Sequence, residues 1–182
     1  KPSNFRSLLN NRIREGQLVS EIDIFLNKEG LLKEFIAKGK VSNLKAQLFN
    51  GVNLQNTNFS FFADNKDVLI KNIFGRIEDI KISDGDIKLN LNDGLKLNSN
   101  FNSKINFNEK IVNKYYSFFK KNKFFDSVKE IDADLNNNLY IDFDDTYKVR
   151  DYNYSISGKL NKSKFKLTKS LKNNIIGEIK EI

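Results

Sequence analysis

From residue 80 to residue 107, apolar and polar residues alternate with a period of two. This period is typical of β-strands that have one apolar face and one polar face. Lys and Asn occupy most of the polar side. The apolar side consists of ten residues: Ile80, Ile82, Ile87, Leu89, Leu91, Leu95, Leu97, Phe101, Ile105 and Phe107. The pattern predicts an antiparallel meander with a wide apolar surface.

Two turn signals interrupt this run, and both keep the apolar surface continuous. An Asp-Gly pair at 84–85, predicted as a two-residue loop, places Ile82 opposite Ile87. An Asn-Asp-Gly turn at 92–94 connects the next two strands, with Gly94 in the left-handed conformation. Because residues directly opposite each other share a face of the sheet, each turn leaves the apolar residues on one side.

The same rhythm recurs along the chain and predicts a mainly β fold. Two helices are predicted where apolar residues recur at helical spacing instead. The predicted elements are a helix over 3–14, strands over 17–107, a helix over 109–124, strands over 128–168 and a tail over 170–182. We expect residues 1–182 to form one β-rich segment, an antiparallel meander curled into an open groove or a sandwich-like, taco-shaped sheet.

Local patterns predict how the earlier strands meet. A four-residue loop over 64–67 places Phe61 opposite Ile70. The apolar phase then slips between Ile70 and Ile73, which predicts a β-bulge in that strand.

The second half of the chain is predicted as shorter strands. Apolar alternation indicates separate strands over 128–135 and 139–143. A Lys-Ser loop at 162–163 is predicted to place Leu160 opposite Phe165.

The composition argues against an enzyme. The chain contains no Cys and no His, so thiolate chemistry and the commonest general base are excluded. The Ser-Lys pairs flank predicted exposed turns, and the glutamates form no recognisable acid–base pair. We therefore expect no catalytic residue and no cofactor.

Five aspartates are candidates for a calcium site, because oxygen-rich clusters suit that ion. They are Asp132, Asp134, Asp142, Asp144 and Asp145. They lack the spacing and the bidentate Glu of an EF-hand loop, and alternation places them on a polar strand face or in a turn. We expect no metal site.

The net charge of +8 comes mainly from Lys. Stacking on single-stranded nucleic acid would require aromatic residues on the same face as the cations. Here the Phe residues fall on the apolar face and the Lys residues on the opposite one, so no nucleic-acid partner is expected.

No stretch approaches the roughly 18 apolar residues of a membrane helix, and no signal-peptide pattern is present. Since the chain begins with Lys and contains no Met, we expect it to be a segment of a longer protein. Any contact with a membrane is expected through regions outside this segment.

The predicted helices are few compared with the strands whose apolar face needs covering. The sheet could fold on itself as a sandwich, or it could curl into a trough that protein does not fully cover. Such a trough would accept acyl chains, because burying each methylene is worth about 0.8 kcal/mol.

Three stretches resemble proteins of the AsmA-like family, in particular the large YhdP and TamB-type members. These stretches are VSNLKAQLFNG at 41–51, IKNIFGRI at 70–77 and IKISDGDIKL at 80–89, and the resemblance extends over roughly residues 40–170. It implies a long β-groove in a protein that is anchored in the bacterial inner membrane and spans the periplasm. Such a groove passes phospholipids toward the outer membrane and contributes to outer-membrane biogenesis, with no residue performing chemistry.

Under this resemblance, apolar residues of the predicted strands would line the groove and bind lipid. They are Phe59, Phe61, Ile70, Ile82, Ile87, Leu89, Leu91, Leu95, Leu97, Phe101, Ile105, Phe107, Ile141, Phe143, Tyr154, Ile156, Leu160, Phe165 and Leu167. Lipid tails would lie along this lining while head groups stay in water.

Three alternatives remain open from the sequence. A β-jellyroll of the lipopolysaccharide-transport type would share the lining but bind another lipid. An outer-membrane protein would turn its apolar face outward and carry aromatic residues at both rims. A structural or adhesive β-domain would seal the apolar face as an ordinary core.

Overall fold

The fold is mainly β, as the alternation predicts. A computed structural model describes residues 11–47, 52–91, 94–112, 114, 127–144, 146, 148–173 and 177–181. Nine strands are present in these ranges: β1 (Ile13–Leu26), β2 (Leu32–Gln47), β3 (Asn53–Asp64), β4 (Asp67–Ile77), β5 (Ile80–Asn90), β6 (Leu95–Phe107), β7 (Val128–Phe143), β8 (Val149–Asn173) and β9 (Gly177–Glu181).

The strands follow one another in the sheet in the order of the sequence, from β1 to β9. The described registers, from β1 to β5 and between β8 and β9, are all antiparallel. In the described part of the chain, β1 and β9 are the two edges and do not pair with each other. The prediction of an open antiparallel meander is confirmed.

The connection between β3 and β4 also agrees with the sequence. Phe61 lies opposite Ile70, and the register shifts between Ile70 and Ile73. Asp64 stabilises the turn because its Oδ1 accepts hydrogen bonds from the backbone N–H groups of Lys66 and Asp67, at 2.7 and 2.8 Å.

The predicted hairpin loop at 84–85 is wrong. These residues lie inside the continuous strand β5. Ile82 pairs with Gly75 and Ile87 pairs with Ile70, so both face β4 rather than each other. The Asp-Gly pair forms an irregularity within the strand instead of a reversal of the chain.

Two further predicted breaks are also wrong. β7 continues through residues 136–138, and β8 continues through 162–163. In β7, Asn138 accepts a 2.6 Å hydrogen bond from Asn100 of β6. In β8, Lys162 forms a 2.8 Å ion pair with Glu130 of β7. Partners on the neighbouring strand thus keep these polar residues within a strand, although their residue types suggest turns.

The predicted helices lie mostly outside the described residues. Of the first, 3–14, only Asn11 and Arg12 are described as helical, and β1 already begins at Ile13. The second, 109–124, starts as predicted: residues 109–112 and 114 are helical. Asn108 caps this start, because its Oδ1 accepts a 3.1 Å hydrogen bond from the Ile111 N–H.

The predicted tail is partly strand. β8 extends to Asn173, and Gly177–Glu181 pairs with it as β9.

The contacts between residues divide the chain into two compact units. The first comprises Lys1–Ser103 with Asn136–Ser157, and the second comprises Lys104–Leu135 with Gly158–Ile182. The described core of the first unit contains Thr57, Ile82, Ser103 and Asn137, and that of the second contains Phe107, Val112, Val128 and Ala133.

Candidate functional site

An apolar cavity of about 390 Å³ lies in the first unit. Its volume falls in the range of small-molecule sites. Five consecutive strands, β3 to β7, supply its wall. The lining residues are Leu54, Thr57, Phe59, Ile70, Ile73, Gly75, Ile77, Ile82, Ile87, Leu97, Ser99, Phe101 and Leu139. Not one of these described residues carries a charge, so the cavity suits an apolar ligand.

A line of β-bulges shapes this wall. Asn43 in β2, Asn56 in β3, Asn72 in β4 and Asp84 in β5 all have left-handed backbone conformations, with φ between 48 and 56°. Each lies where the register between neighbouring strands shifts. Asn and Asp adopt this conformation more readily than other residues with a side chain. Bulges bend a strand and increase its twist.

The bulges also decide which residues face the cavity. In a regular strand, residues three apart point to opposite faces. Across the bulge at Asn72, however, Ile70 and Ile73 both line the cavity. Leu54 and Thr57 do the same across the bulge at Asn56. Each bulge therefore corrects a shift in the apolar phase of the sequence.

Side chains of the neighbouring strand hold two of these bulges. The Asn43 N–H donates a 3.0 Å hydrogen bond to Asn58 Oδ1, and the Asn72 N–H donates a 3.2 Å bond to Asp86 Oδ1. Lys71 Nζ lies 2.7 Å from Asp86 Oδ2. The hydrogen bond from Lys71, helped by that from the Asn72 backbone, lowers the pKa of Asp86 against the opposing effect of partial burial.

Two glycines allow neighbouring side chains to cover the strands closely. A Cβ atom on Gly75 would lie 2.2 Å from Thr57 Oγ1, and one on Gly85 would lie 2.9 Å from Ile73 Cβ. Thr57 is buried, and its hydroxyl donates a 3.2 Å hydrogen bond to the carbonyl of Gln55. The hydroxyl is therefore satisfied and need not bind a ligand.

A small polar network involves the last three strands of the first unit. Asn137 of β7 is only 2% exposed. Its Nδ2 donates to Ser103 Oγ at 2.9 Å and to the Phe101 carbonyl at 3.2 Å, and its Oδ1 accepts a 2.8 Å bond from Tyr154. Partial desolvation raises the pKa of Tyr154, whose side chain is otherwise exposed, so this phenol stays protonated and donates at neutral pH.

The apolar face extends beyond the cavity as far as the edge strand. One row of directly paired residues crosses five strands from β1 to β5: Ile22, Ala37, Ala63, Val68 and Leu89. At the edge, the row ends at Ile22, which is 58% exposed. Apolar surface thus continues from the cavity to an exposed strand within one unit.

The structure brings together part of the predicted lining. Phe59, Ile70, Ile82, Ile87, Leu97 and Phe101 line the cavity. Phe61 and Leu89 lie beside it in the register, opposite Ile70 and Val68 respectively.

The remaining predicted residues are not part of the cavity wall. Leu91, Tyr154, Ile156 and Leu160 are exposed, and Phe107 is buried in the second unit. The half-buried ones are Leu95, Ile105, Ile141, Phe143, Phe165 and Leu167.

Sequence reasoning missed seven lining residues: Leu54, Thr57, Ile73, Gly75, Ile77, Ser99 and Leu139. A usable signal existed for Ile73 and Ile77, because the phase slip after Ile70 implies that both return to the apolar side. Thr57, Gly75 and Ser99 carry no such signal, since small residues line a cavity only where neighbouring strands bring them to it.

Three of the aspartates that are candidates for a calcium site are bound to Arg and Asn side chains. Asp142 binds Arg150 through three contacts of 2.8–3.2 Å. Asp132 and Asp134 both accept hydrogen bonds from Asn161, at 3.0 and 2.7 Å.

Asp144 closes its own turn, and Asp145 lies outside the described residues. The hydrogen bond from the Thr146 hydroxyl is the largest of several that lower the pKa of Asp144. No group of three acidic side chains able to hold a metal ion is found in the portion of the chain that the structure describes.

Comparison with known proteins adds no identity. No protein-family model, no curated protein and no solved structure matches this chain. Within the described ranges, no helix has both the length and the apolar character needed to cross a bilayer. The fold and the site define a mainly β chain with an apolar cavity in an open antiparallel sheet.

Proposed function

We propose that this chain is a non-enzymatic lipid-transfer segment that binds the acyl chains of phospholipids. The supporting observation is the cavity wall, built from aliphatic and aromatic side chains on five strands. Of the described lining residues, only Thr57 and Ser99 have polar side chains, and the Thr57 hydroxyl is already bonded to backbone. A polar substrate would find few partners there, whereas each buried methylene is worth about 0.8 kcal/mol.

The extended apolar face favours passage of lipid over storage of a single molecule. A path from the cavity to Ile22 at the edge offers many weak contacts of similar kind. Transfer requires that a lipid leave each position as readily as it enters. A row of aliphatic side chains meets this requirement, because apolar contacts are not directional.

The resemblance to AsmA-like proteins supports a cellular setting for this activity. In this proposal the chain is periplasmic and belongs to a longer protein anchored in the inner membrane. It carries phospholipid between the inner and outer membranes.

Lipid retention tests the proposal directly. Lipids are extracted from the purified chain and identified by mass spectrometry. A second sample of the folded protein is titrated with a fluorescent fatty acid. Leu97→Asp places a charge in the cavity wall and is expected to weaken fatty-acid binding by about tenfold or more. Phe74→Asp is the matched control. Phe74 is exposed and lies between Ile73 and Gly75, which both line the cavity, so alternation places its side chain on the opposite face of the sheet.

A sealed structural or adhesive domain is the competing function, and the burial of Thr57 and Ile82 favours it. If the purified chain retains no lipid and binds no fatty acid, the cavity is part of a sealed core. If Leu97→Asp and Phe74→Asp bind equally well, lipid lies elsewhere. Retention of lipopolysaccharide instead of phospholipid would indicate the jellyroll type of transport. Circular dichroism checks that both variants remain folded.

A further inference from the structure

The hairpin between β1 and β2 presents large apolar side chains at its tip. Leu26, Leu31 and Leu32 are 59, 61 and 62% exposed. Ile24 and Phe25 are also exposed. Isolated exposed apolar residues are normal on protein surfaces, but a contiguous group of this kind marks a contact site.

This tip projects past its neighbour in the sheet. β3 pairs with β2 only from Ile36 onward, where Ile36 lies opposite Asp64. Residues 32–35 of β2 therefore extend beyond β3. Asn65 holds their base, because its Nδ2 donates to the Lys33 carbonyl at 3.0 Å and its Oδ1 accepts from the Phe35 N–H at 3.2 Å.

The loop at the tip has a defined shape. Asn27 Oδ1 accepts hydrogen bonds from the N–H groups of Glu29 and Leu31, at 3.0 and 2.9 Å. The Asn27 N–H donates to the Leu31 carbonyl at 2.8 Å, and Gly30 has a positive φ of 76°. The loop thus presents Leu31 without first having to order itself, which lowers the entropic cost of binding.

The side chains at the tip point in several directions. Alternation along β1 places Ile24 and Leu26 on one face and Phe25 on the other, and Leu31 lies in the loop. One protein surface packed against the hairpin would cover one of these faces and leave the other wet. A continuous apolar medium covers all of them at once.

From this geometry we infer that the β1–β2 hairpin tip inserts into the surface of a lipid bilayer. This segment would then contact a membrane itself, in contrast to the expectation from the sequence that such contact occurs only through other regions. Two lysines, Lys28 and Lys33, and two glutamates, Glu29 and Glu34, surround the leucines, so the tip has no net charge. Insertion is therefore driven by the apolar side chains and does not require anionic lipid. The inference stands apart from the proposed cargo, because it concerns a different surface from the cavity.

The experiment uses the full chain and vesicles of zwitterionic phosphatidylcholine. The net charge of +8 would draw the protein to anionic vesicles without insertion. Salt of about 1 M, where the Debye length is about 3 Å, suppresses that attraction further. Because the chain contains no Trp, Leu31→Trp introduces a single tryptophan at the tip, which is excited selectively over the tyrosines. Its emission is expected to shift to the blue with vesicles and to be quenched by lipids with brominated acyl chains. Val19→Trp, at an exposed position of β1 away from the tip, is expected to show neither effect.

Sedimentation with vesicles measures the contribution of the leucines. The triple variant Leu26→Ser, Leu31→Ser and Leu32→Ser is expected to lower the partition coefficient by about a hundredfold or more. Leu18→Ser and Val19→Ser on β1 and Val149→Ser on β8, at positions that are 63, 74 and 55% exposed, form the control and should bind as the parent chain does.

Three outcomes would overturn the inference: unchanged emission of Leu31→Trp, equal losses in the two triple variants, or a concentration-dependent dimer that only the tip variant abolishes. The last would assign the tip to a second copy of the chain. Vesicle binding without fatty-acid binding would contradict the proposed cargo and leave this inference intact.

Discussion

Asn137 is a buried amide beside the cavity wall, and its three described partners satisfy most of its hydrogen-bonding capacity. Asn137→Ala removes the amide and leaves Ser103 and the Tyr154 hydroxyl without this partner. Since an unsatisfied buried polar group costs about 1–3 kcal/mol, we expect a loss of that size in the free energy of unfolding. Urea denaturation monitored by circular dichroism measures it.

Tyr154→Phe separates the two sides of this network. It removes one hydrogen bond and should cost about 0.5–1.5 kcal/mol. In the double variant with Asn137→Ala the two losses should not add, because both variants remove the same 2.8 Å bond. Additive losses would mean that the phenol contributes through packing alone.

Gly75 lies beneath Thr57 in the neighbouring strand, and its lack of a side chain is a packing requirement. Gly75→Ala would place a methyl group 2.2 Å from Thr57 Oγ1, so one of the two strands must shift. Overpacking of this kind typically costs about 1–3 kcal/mol. Thermal or urea unfolding should show the loss. The double variant Gly75→Ala and Thr57→Ala should recover part of it, and additivity of the two substitutions would exclude this contact as the cause.

At the residue scale, composition alone was misleading where Asn, Asp and Gly occur together. Asn136 and Asn138 suggest a turn because Asn favours turns in isolation. In the structure, Asn136 donates to Asn102 at 3.1 Å and Asn138 accepts from Asn100. A single sequence does not show the cross-strand partner, so it does not distinguish a turn from a row of paired amides.

At the scale of the strand, the bulges determine how far the sequence predicts the site. The alternation correctly identifies strands, an open meander and the slip between Ile70 and Ile73. It fails at Asp84-Gly85, because a left-handed Asp followed by Gly suits both a hairpin loop and a bulge. The difference depends on the neighbouring strand: the bulges of β2 to β4 lie at corresponding positions, and β5 continues the line.

Asp86 gives the β4–β5 bulge a pH dependence. Its pKa is lowered in the folded chain, first by the hydrogen bond from Lys71. A lowered carboxylate pKa stabilises the fold above the ordinary aspartate value of about 4, and this contribution disappears as pH falls through the lowered pKa. Asp86→Asn should therefore destabilise the chain near neutral pH, by less than about 1 kcal/mol since both charges are largely exposed.

The difference between Asp86→Asn and the parent chain should vanish at low pH, which unfolding curves collected across an acid series would show. Lys71→Met is the partner variant: it should raise the pKa of Asp86 toward its ordinary value while the Asn72 N–H contact remains. A difference between Asp86→Asn and the parent chain that does not change with pH would contradict the assigned cause.

At the scale of the whole molecule, the strand order makes stability local. Each strand lies between its neighbours in sequence, and the described residues of β1 are exposed along its length. Elements with few buried contacts open at lower free energy than the core. We expect amides of β1 to exchange with solvent faster than those of β3 and β4, which form part of the cavity wall.

Hydrogen exchange followed by mass spectrometry of peptides from β1, β3 and β4 tests this gradient. Equal protection in all three strands would mean that the first unit opens only as a whole. Added fatty acid, if the cavity binds it, should slow exchange in β3 and β4 more than in β1.

The recurrence of a hydrogen-bonded bulge in successive hairpins suggests how such a sheet can change its width. In the β2–β3 hairpin, an Asn side chain of β3 accepts a hydrogen bond from the bulge of β2. In the β4–β5 hairpin, an Asp side chain of β5 accepts one from the bulge of β4 in the same way. A hairpin with one such hydrogen bond is thus a complete module, because it returns the chain to the same end of the strands with the same side apolar. Insertion or loss of one module would change the width of the apolar surface by two strand spacings, about 10 Å, and would alter pairing only at the point of insertion. Adding or removing hairpins would therefore adjust the width of such a sheet in steps of two strands.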